Sequence, residues 1–413
     1  MNVRDDTLSA AIAAEQARQE TFVELIASEN YVSPQVAQIQ GSCLTNKYAD
    51  GYPGRRTYSG CEFVDIAESL ACERACRLFG AEHANVQPYS GTQANAAALM
   101  ALLEPGDALL GMAASHGGHI THGDAASFSG RIYRAHAYHT DASGCVDYDE
   151  IEALAHQHRP KVIIAGFSAY SRHLDWARFR AIADATGAWL LADMAHTAGL
   201  IAAGLSPNPV PYADVCTSTT HKTLRGPRGG LILARDAAAL RERLDAAVYP
   251  GIQGGPLMHV VAAKAAAFEE AQQPGFRDYQ QRVIANARRL AEQLTQRGIT
   301  IATGGTDNHM MLAVLDRAHP SAPEAAARLE AAHIAVSSWR LPHDEPGGPP
   351  RGLRLGTPAV TTRGFGFGEM DVLAELISAA LADADSPQVE TRRRVAELCR
   401  RFPVYGPGSC WEQ

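Results

Sequence analysis

Lys222 stands just past an apolar, β-branched run that contains Ala213, Val215, Thr217 and Thr219, and just before a turn-rich stretch, Gly226-Pro227-Arg228-Gly229-Gly230. A second apolar run follows, Leu231-Ile232-Leu233-Ala234. The pattern predicts a strand, an exposed turn and a returning strand. A lysine at a strand end inside a pocket loses its charge cheaply and can form a Schiff base with an aldehyde. The hydroxyls around it, Thr219 among them, suit a phosphate. His221 adjoins the lysine and Arg228 supplies a fixed positive charge. Aldehyde and phosphate together suggest pyridoxal phosphate (PLP). A surface lysine in a basic turn has the same local pattern.

Other residues carry chemistry of their own. Ser90-Gly91-Thr92 follows Val86-Gln87-Pro88 and opens an alanine-rich run, so it reads as a strand end, a tight turn and a helix start. Such a helix N-terminus binds phosphate; a plain Ser/Thr cap looks the same in sequence. Asp193, His196 and Ser168 fall just past apolar runs. Arg354 sits in the run Gly352-Leu353-Arg354-Leu355, where apolar neighbours favour burial. A guanidinium there can hold a carboxylate through two bonds, or make an ordinary surface ion pair. His116, His119 and His122 are spaced three apart. Gly117-Gly118 breaks the helix that would align them, so no metal is expected.

Elements that could position these groups are legible. Leu8 to Phe22 has the spacing of an amphipathic helix. The segment Lys47 to Gly60 is rich in glycine and tyrosine and reads as an ordered functional loop. Strands are predicted at Asp107–Gly111, Lys161–Phe167, Trp189–Ala192 and Val215–Thr219, with helical stretches between. That alternation predicts a parallel, doubly wound α/β sheet with ligands at the C-terminal strand ends. The 413 residues exceed a usual single core. We expect an N-terminal arm over 1–35, a large domain over 36–274 and a smaller α/β domain over 275–413, with a boundary at Gln273-Pro274-Gly275. Glu345 to Pro350 is a loop.

Composition removes several classes. A net charge of −8 argues against a nucleic-acid surface. Arg392-Arg393-Arg394 is short and reads as a solvated helix face. Met1 to Asp6 lacks the apolar core of a signal peptide, and no run approaches membrane-spanning length. The eight cysteines show no paired spacing, which suits reduced thiols in the cytoplasm.

Six ordered segments resemble the serine hydroxymethyltransferase family: Glu24 to Tyr31, Asn46 to Gly54, Ser115 to His119, Asp193 to His196, Thr217 to Gly230 and Arg354 to Ala359. The resemblance runs from about residue 7 to the C-terminus. It implies a fold-type I PLP enzyme of the aspartate aminotransferase-like class, a homodimer or dimer of dimers. It implies that Lys222 carries PLP, that Asp193 meets the pyridine nitrogen, and that His119 stacks on the ring. Ser168 and His196 would neighbour the phenolic oxygen. Ser90, Gly91 and Thr92 would hold the phosphate, with Tyr48, Gly254 and Gly255 added from the neighbouring subunit. Arg354, Ser28 and Tyr58 would bind the amino acid.

Several positions depart from the family pattern. Asp50 stands where a proton-carrying glutamate is usual and is shorter by roughly 1.5 Å. Thr57 replaces one of two paired tyrosines. Ala114 replaces a leucine lining the pterin and Ile120 a second one, conservatively. Trp339 falls where an asparagine binds the pterin edge. The changes lie on the folate side, whereas Lys222, Asp193, His119, His196, Ser90 and Arg354 are intact. The expected reaction is Cα–Cβ cleavage and formation on β-hydroxy amino acids through a glycine quinonoid. We favour at this stage a folate-independent threonine or serine transaldolase or aldolase, using an aldehyde that could stack on Trp339. Ordinary tetrahydrofolate-dependent transfer is the alternative, and a non-catalytic binding subunit the last.

Overall fold

The computed structural model describes residues 5–382 and 388–405. By internal contacts the chain divides into two compact units: Val32–Gln281, and Met1–Tyr31 together with Arg282–Gln413. The division falls inside the helix Pro274–Gln296, slightly beyond the turn read as a boundary, and the first residues group with the C-terminal part.

In the larger unit a seven-stranded sheet runs in the order His83–Asn85, Gly230–Ala234, Val215–Thr219, Trp189–Asp193, Val162–Gly166, Ala108–Met112, Arg134–Tyr138. The last five are mutually parallel. Gly230–Ala234 is antiparallel to both of its neighbours. The expectation of a wholly parallel sheet is therefore corrected to a mixed one. Its cause is the Lys222 turn itself: Val215–Thr219 returns directly as a hairpin, and a direct return can only be antiparallel. The predicted strands lie within a residue of those observed.

The helix Gly91–Leu102 packs its small residues Ala94, Ala97, Ala98 and Ala101 inward, and its apolar cluster includes Leu109, Val162, Leu191, Val215 and Ile232. Fully buried aliphatic side chains of this kind each contribute roughly 1.5–3 kcal/mol. The close packing fixes the helix N-terminus against the strand ends.

The smaller unit holds a four-stranded antiparallel sheet, ordered Thr300–Ile301, Met310–Val314, Gly352–Gly356, Ser337–Trp339. Val23–Glu24 pairs in parallel with Ile334–Ala335. Its core gathers Val23 and Leu25 with Leu290, Leu353, Leu355, Phe365 and Leu373. The N-terminal helix spans Asp6–Thr21 but buries none of its residues in this chain, and Leu8 and Ile12 are exposed. The helix expected over Leu8 to Phe22 is thus present, with its apolar residues Leu8 and Ile12 open in this chain. Glu345 to Pro350 forms the expected loop. Arg393 pairs with Glu390 and Glu397, and Arg394 with Glu375, all at the surface. No helix among the described residues is long and apolar enough to cross a membrane.

Candidate active site

Asp193 ends its strand fully buried, and each of its oxygens is engaged. Oδ1 accepts from the Ala195 backbone N–H at 3.1 Å. Oδ2 accepts from Asn95 Nδ2 at 2.9 Å and from His122 Nε2 at 2.9 Å. The His119 backbone N–H donates to His122 Nδ1 at 3.3 Å, which places the His122 proton on Nε2, facing the carboxylate. Burial alone would raise the Asp193 carboxyl. The hydrogen bond from His122, with the favourable electrostatics of His122 and His119 and the hydrogen bond from Asn95, outweighs it and holds the group well below the usual carboxylate range. Asn95 is held in turn by the Thr217 hydroxyl at 2.5 Å. It also donates to Thr121 Oγ1 at 2.8 Å, and Thr121 Oγ1 lies 2.7 Å from His119 Nδ1.

A carboxylate distant in sequence, Asp193, therefore meets the histidine triplet at His122. His119, His122 and Asp193 bring ligand-type atoms within 4.8 Å of one another. His116 lies outside this trio, because Gly117, at φ 106°, separates the two short helical turns. Asn95 and Thr121 escape a reading of the sequence, whereas His122 stands out only through its spacing from His119 and Thr217 only as a member of the β-branched run. The available signal for Asn95 is an amide inside an alanine run; nothing local marks Thr121.

Lys222 is buried beyond the end of the adjacent strand Val215–Thr219. Beside it, burial first and then the charges of Arg228, Lys222 and Lys264 push His221 down to about 3, so its ring stays neutral at physiological pH. The Thr223 hydroxyl donates to the His196 carbonyl at 2.9 Å, and Ser168 Oγ lies 3.5 Å from His196 Nε2. Arg228 is exposed.

Ser90 caps the helix Gly91–Leu102 by accepting from the Gln93 N–H at 3.1 Å. The bland cap is thus present, and the N-terminal amides of Gly91 and Thr92 follow it. Gly91 has no room for a Cβ, which would lie 2.6 Å from Thr219 Cγ2; this close approach sets the turn against the Lys222 strand. Lys264, also missed from sequence, fixes the same region. Its buried Nζ donates to the carbonyls of Val86, Pro88 and Gly230 at 2.6, 3.1 and 2.8 Å. Burial pushes this amine down to about 7, with Cys72 and Glu68 opposing. Three acceptors call for three N–H donors, which only the ammonium form supplies, so we read it as charged.

A second cluster gathers in the Lys47–Gly60 loop. Arg56 pins it, pairing with Glu68 at 2.5 Å and Asp65 at 2.8 Å and donating to the carbonyls of Ala49 and Gly51. Tyr48 and Tyr58 meet edge to face at 5.3 Å, and both are substantially exposed. A Cβ on Gly255 would lie 3.0 Å from both the Tyr48 ring and Asp50 Oδ1, so Tyr48, Asp50 and Gly255 adjoin, with Gly254 next to them. Asp50 Oδ1 is buried without a hydrogen-bond partner among the described residues. Thr57 and Ile120 are exposed and Ala114 half-buried. Tyr89, next to Ser90, ties the glycine pair to that helix N-terminus, its hydroxyl donating to the Gly255 carbonyl at 2.6 Å.

In the smaller unit Arg354 is buried, and burial lowers its guanidinium to about 10, still charged at neutral pH. Its Nη2 donates to Ser337 Oγ at 3.4 Å, and the Trp339 ring centroid lies 5.0 Å from its Cζ. Gly356 has no room for a Cβ, which would lie 2.5 Å from Ala27 Cα; Ser28 follows that contact directly.

A buried carboxylate held ionised at one strand end, a buried lysine past the next and a capped helix N-terminus between them suit the pyridine nitrogen, aldehyde and phosphate of PLP. Residues 1–377 match the family described as serine hydroxymethyltransferase. A serine hydroxymethyltransferase of Dichelobacter nodosus is 56% identical over 412 residues, covering 98% of this chain and 99% of that protein. One from Methylococcus capsulatus is 58% identical over 409 residues and one from Legionella pneumophila 57% over 406, each covering 97% of both chains. The chain belongs to the serine hydroxymethyltransferase family, whose members are fold-type I enzymes that use PLP. It is a PLP-dependent transferase acting on small molecules.

Proposed function

We propose that the enzyme moves the hydroxymethyl carbon of serine to tetrahydrofolate, leaving glycine. The observation that carries this reading is the match to curated serine hydroxymethyltransferases along nearly the whole of both chains. It reverses the preference for a transaldolase drawn from sequence.

Roles follow from the chemistry of each side chain. Arg354, with Ser28 and Tyr58, binds the amino acid, the guanidinium taking the carboxylate by two bonds. Lys222 is the amine that receives the cofactor aldehyde. PLP, when bound, supplies the electron sink for the bond broken at Cα. Asp193 keeps a negative charge facing the ring nitrogen, and His119 covers the ring. Ser168 and His196 flank its phenolic oxygen. Ser90, Gly91, Thr92 and Thr219 take the phosphate, with His221 and Arg228 bordering it. Asp50 exchanges a proton with the substrate hydroxyl. Tyr48, Gly254 and Gly255 serve the phosphate of a neighbouring subunit, in keeping with the exposure of Tyr48 and Gly254. We place the enzyme in the cytoplasm, as its seven described cysteines are free thiols.

The second reading, transfer to an aldehyde without folate, is favoured by Thr57 and Ala114, which leave a wider pocket than tyrosine and leucine. It loses support at Trp339, one face of whose indole is turned to Arg354. Turnover of serine by the PLP-loaded enzyme, with and without tetrahydrofolate, separates the two. Glycine formation that depends on tetrahydrofolate is expected. Folate-independent release of acetaldehyde from threonine, with exchange onto added aldehydes, would establish the second reading instead.

A further inference from the structure

Ser337 and Trp339 share one face of the small sheet with the residues opposite them, Arg354 and Gly352. Directly opposed residues on antiparallel strands project to the same side, and diagonal neighbours lie within reach of a large ring. The position facing Trp339 is a glycine, where a Cβ would lie 2.8 Å from the Trp339 carbonyl oxygen. Leu341 occupies that place, its Cδ2 lying 2.9 Å from where the Cβ would sit, and the indole lies against the diagonal neighbour Arg354, 5.0 Å from centroid to Cζ. Ser337 Oγ, directly opposite Arg354, takes one of the guanidinium N–H groups at 3.4 Å.

We propose that Trp339 is a positioning and specificity-determining residue for the amino-acid carboxylate: it caps one face of the Arg354 guanidinium, so that the arginine presents its hydrogen-bonding edge to a planar carboxylate. The inference rests on the reading of Arg354 as the carboxylate-binding residue. A guanidinium against an aromatic ring loses rotameric freedom and hydration on that side, while its N–H groups point along its own plane. Trp339 therefore acts through Arg354 rather than as a platform for a second substrate.

The test compares two ligands on the PLP-loaded enzyme: glycine, and glycinamide, which keeps the amine but has no carboxylate. Spectral titration gives a dissociation constant for each in wild type, Trp339→Phe and Trp339→Leu. Loss of a partly buried cation–π contact is expected to weaken glycine about five- to tenfold in Trp339→Leu. Trp339→Phe should recover most of the loss. Glycinamide should move less than twofold, and in serine turnover KM should rise while kcat holds. Equal weakening of both ligands, or a change confined to tetrahydrofolate binding, would overturn the inference. Failure of the underlying reading looks different: wild type and Arg354→Lys would bind glycine alike. Thermal unfolding identifies a variant that is merely misfolded, and Trp339→Phe keeps the comparison informative in that case.

Discussion

His122 donates its Nε2 proton to Asp193 Oδ2 across 71 residues of sequence at 2.9 Å, and the backbone of His119 fixes which ring nitrogen carries that proton. The carboxylate is thus ionised because of a neighbour rather than because of exposure.

His122→Leu should release Asp193 upward toward, or above, the usual carboxylate range. The sign is set by the depressed folded value: stability from this group is present above the unfolded pKa of about 3.9 and lost only as pH falls further. Wild type should therefore hold PLP evenly from pH 5 to 8. In the variant, cofactor affinity should drop and acid sensitivity should move up into the range of roughly pH 4–6. Equilibrium dialysis of PLP against pH measures both; an unchanged profile would separate His122 from the carboxylate.

Borohydride reduction of the PLP-loaded enzyme should fix the cofactor mass on the peptide containing Lys222. Lys264 is the informative competitor, being the other buried lysine near the phosphate turn. Label on its peptide would reassign the reactive amine.

Arg354→Ala should weaken serine and glycine by roughly thirtyfold or more, since an unpartnered carboxylate costs about 2–5 kcal/mol. PLP content should stay near normal. Unaltered amino-acid binding would remove Arg354 from the site.

Lys264→Met is one heavy atom shorter and removes the donors to three buried carbonyls, of which that of Pro88 keeps the Gly230 N–H. A loss of about 2–5 kcal/mol is expected, given roughly 1–3 for each unsatisfied buried group and partial relaxation. Urea unfolding of the two proteins side by side measures it, and a difference below the resolution of that method would show that the carbonyls find other donors.

Burial and then the nearby Glu29 carboxylate push Glu24 up to about 8. A raised carboxyl favours the folded state while protonated, so stability falls as pH rises from the unfolded value toward the folded one. Glu24→Gln should flatten that slope and gain on the order of 3 kcal/mol over wild type at pH 9, with little difference at pH 4. Equal pH profiles for the two proteins would count against a buried, protonated Glu24.

The residues whose chemistry depends on local pattern were legible in the sequence. Lys222 was placed by two apolar runs and a glycine-rich turn, and Asp193 and His196 by their position past a strand. The support beneath them was not. Asn95 is 98 residues from Asp193 and 122 from Thr217, and no local periodicity encodes a pairing over that distance. The same runs that located Lys222 also predicted the hairpin, yet the sheet was read as parallel because alternation of helices dominated the reading. Trp339 shows a subtler limit. Its identity suggests a stacking surface, but what it stacks on depends on strand register.

The pairing of Val23–Glu24 with Ile334–Ala335 has a consequence for synthesis. The first strand of the smaller unit leaves the ribosome long before its partner exists. At roughly 5–20 residues per second, the intervening 309 residues, from 25 to 333, take about 15–60 s to translate. The residues of Val32–Gln281, which form a compact unit by their own contacts, are by then all synthesised. Val23 and Leu25 stay uncovered by their partners until the chain that shelters them emerges.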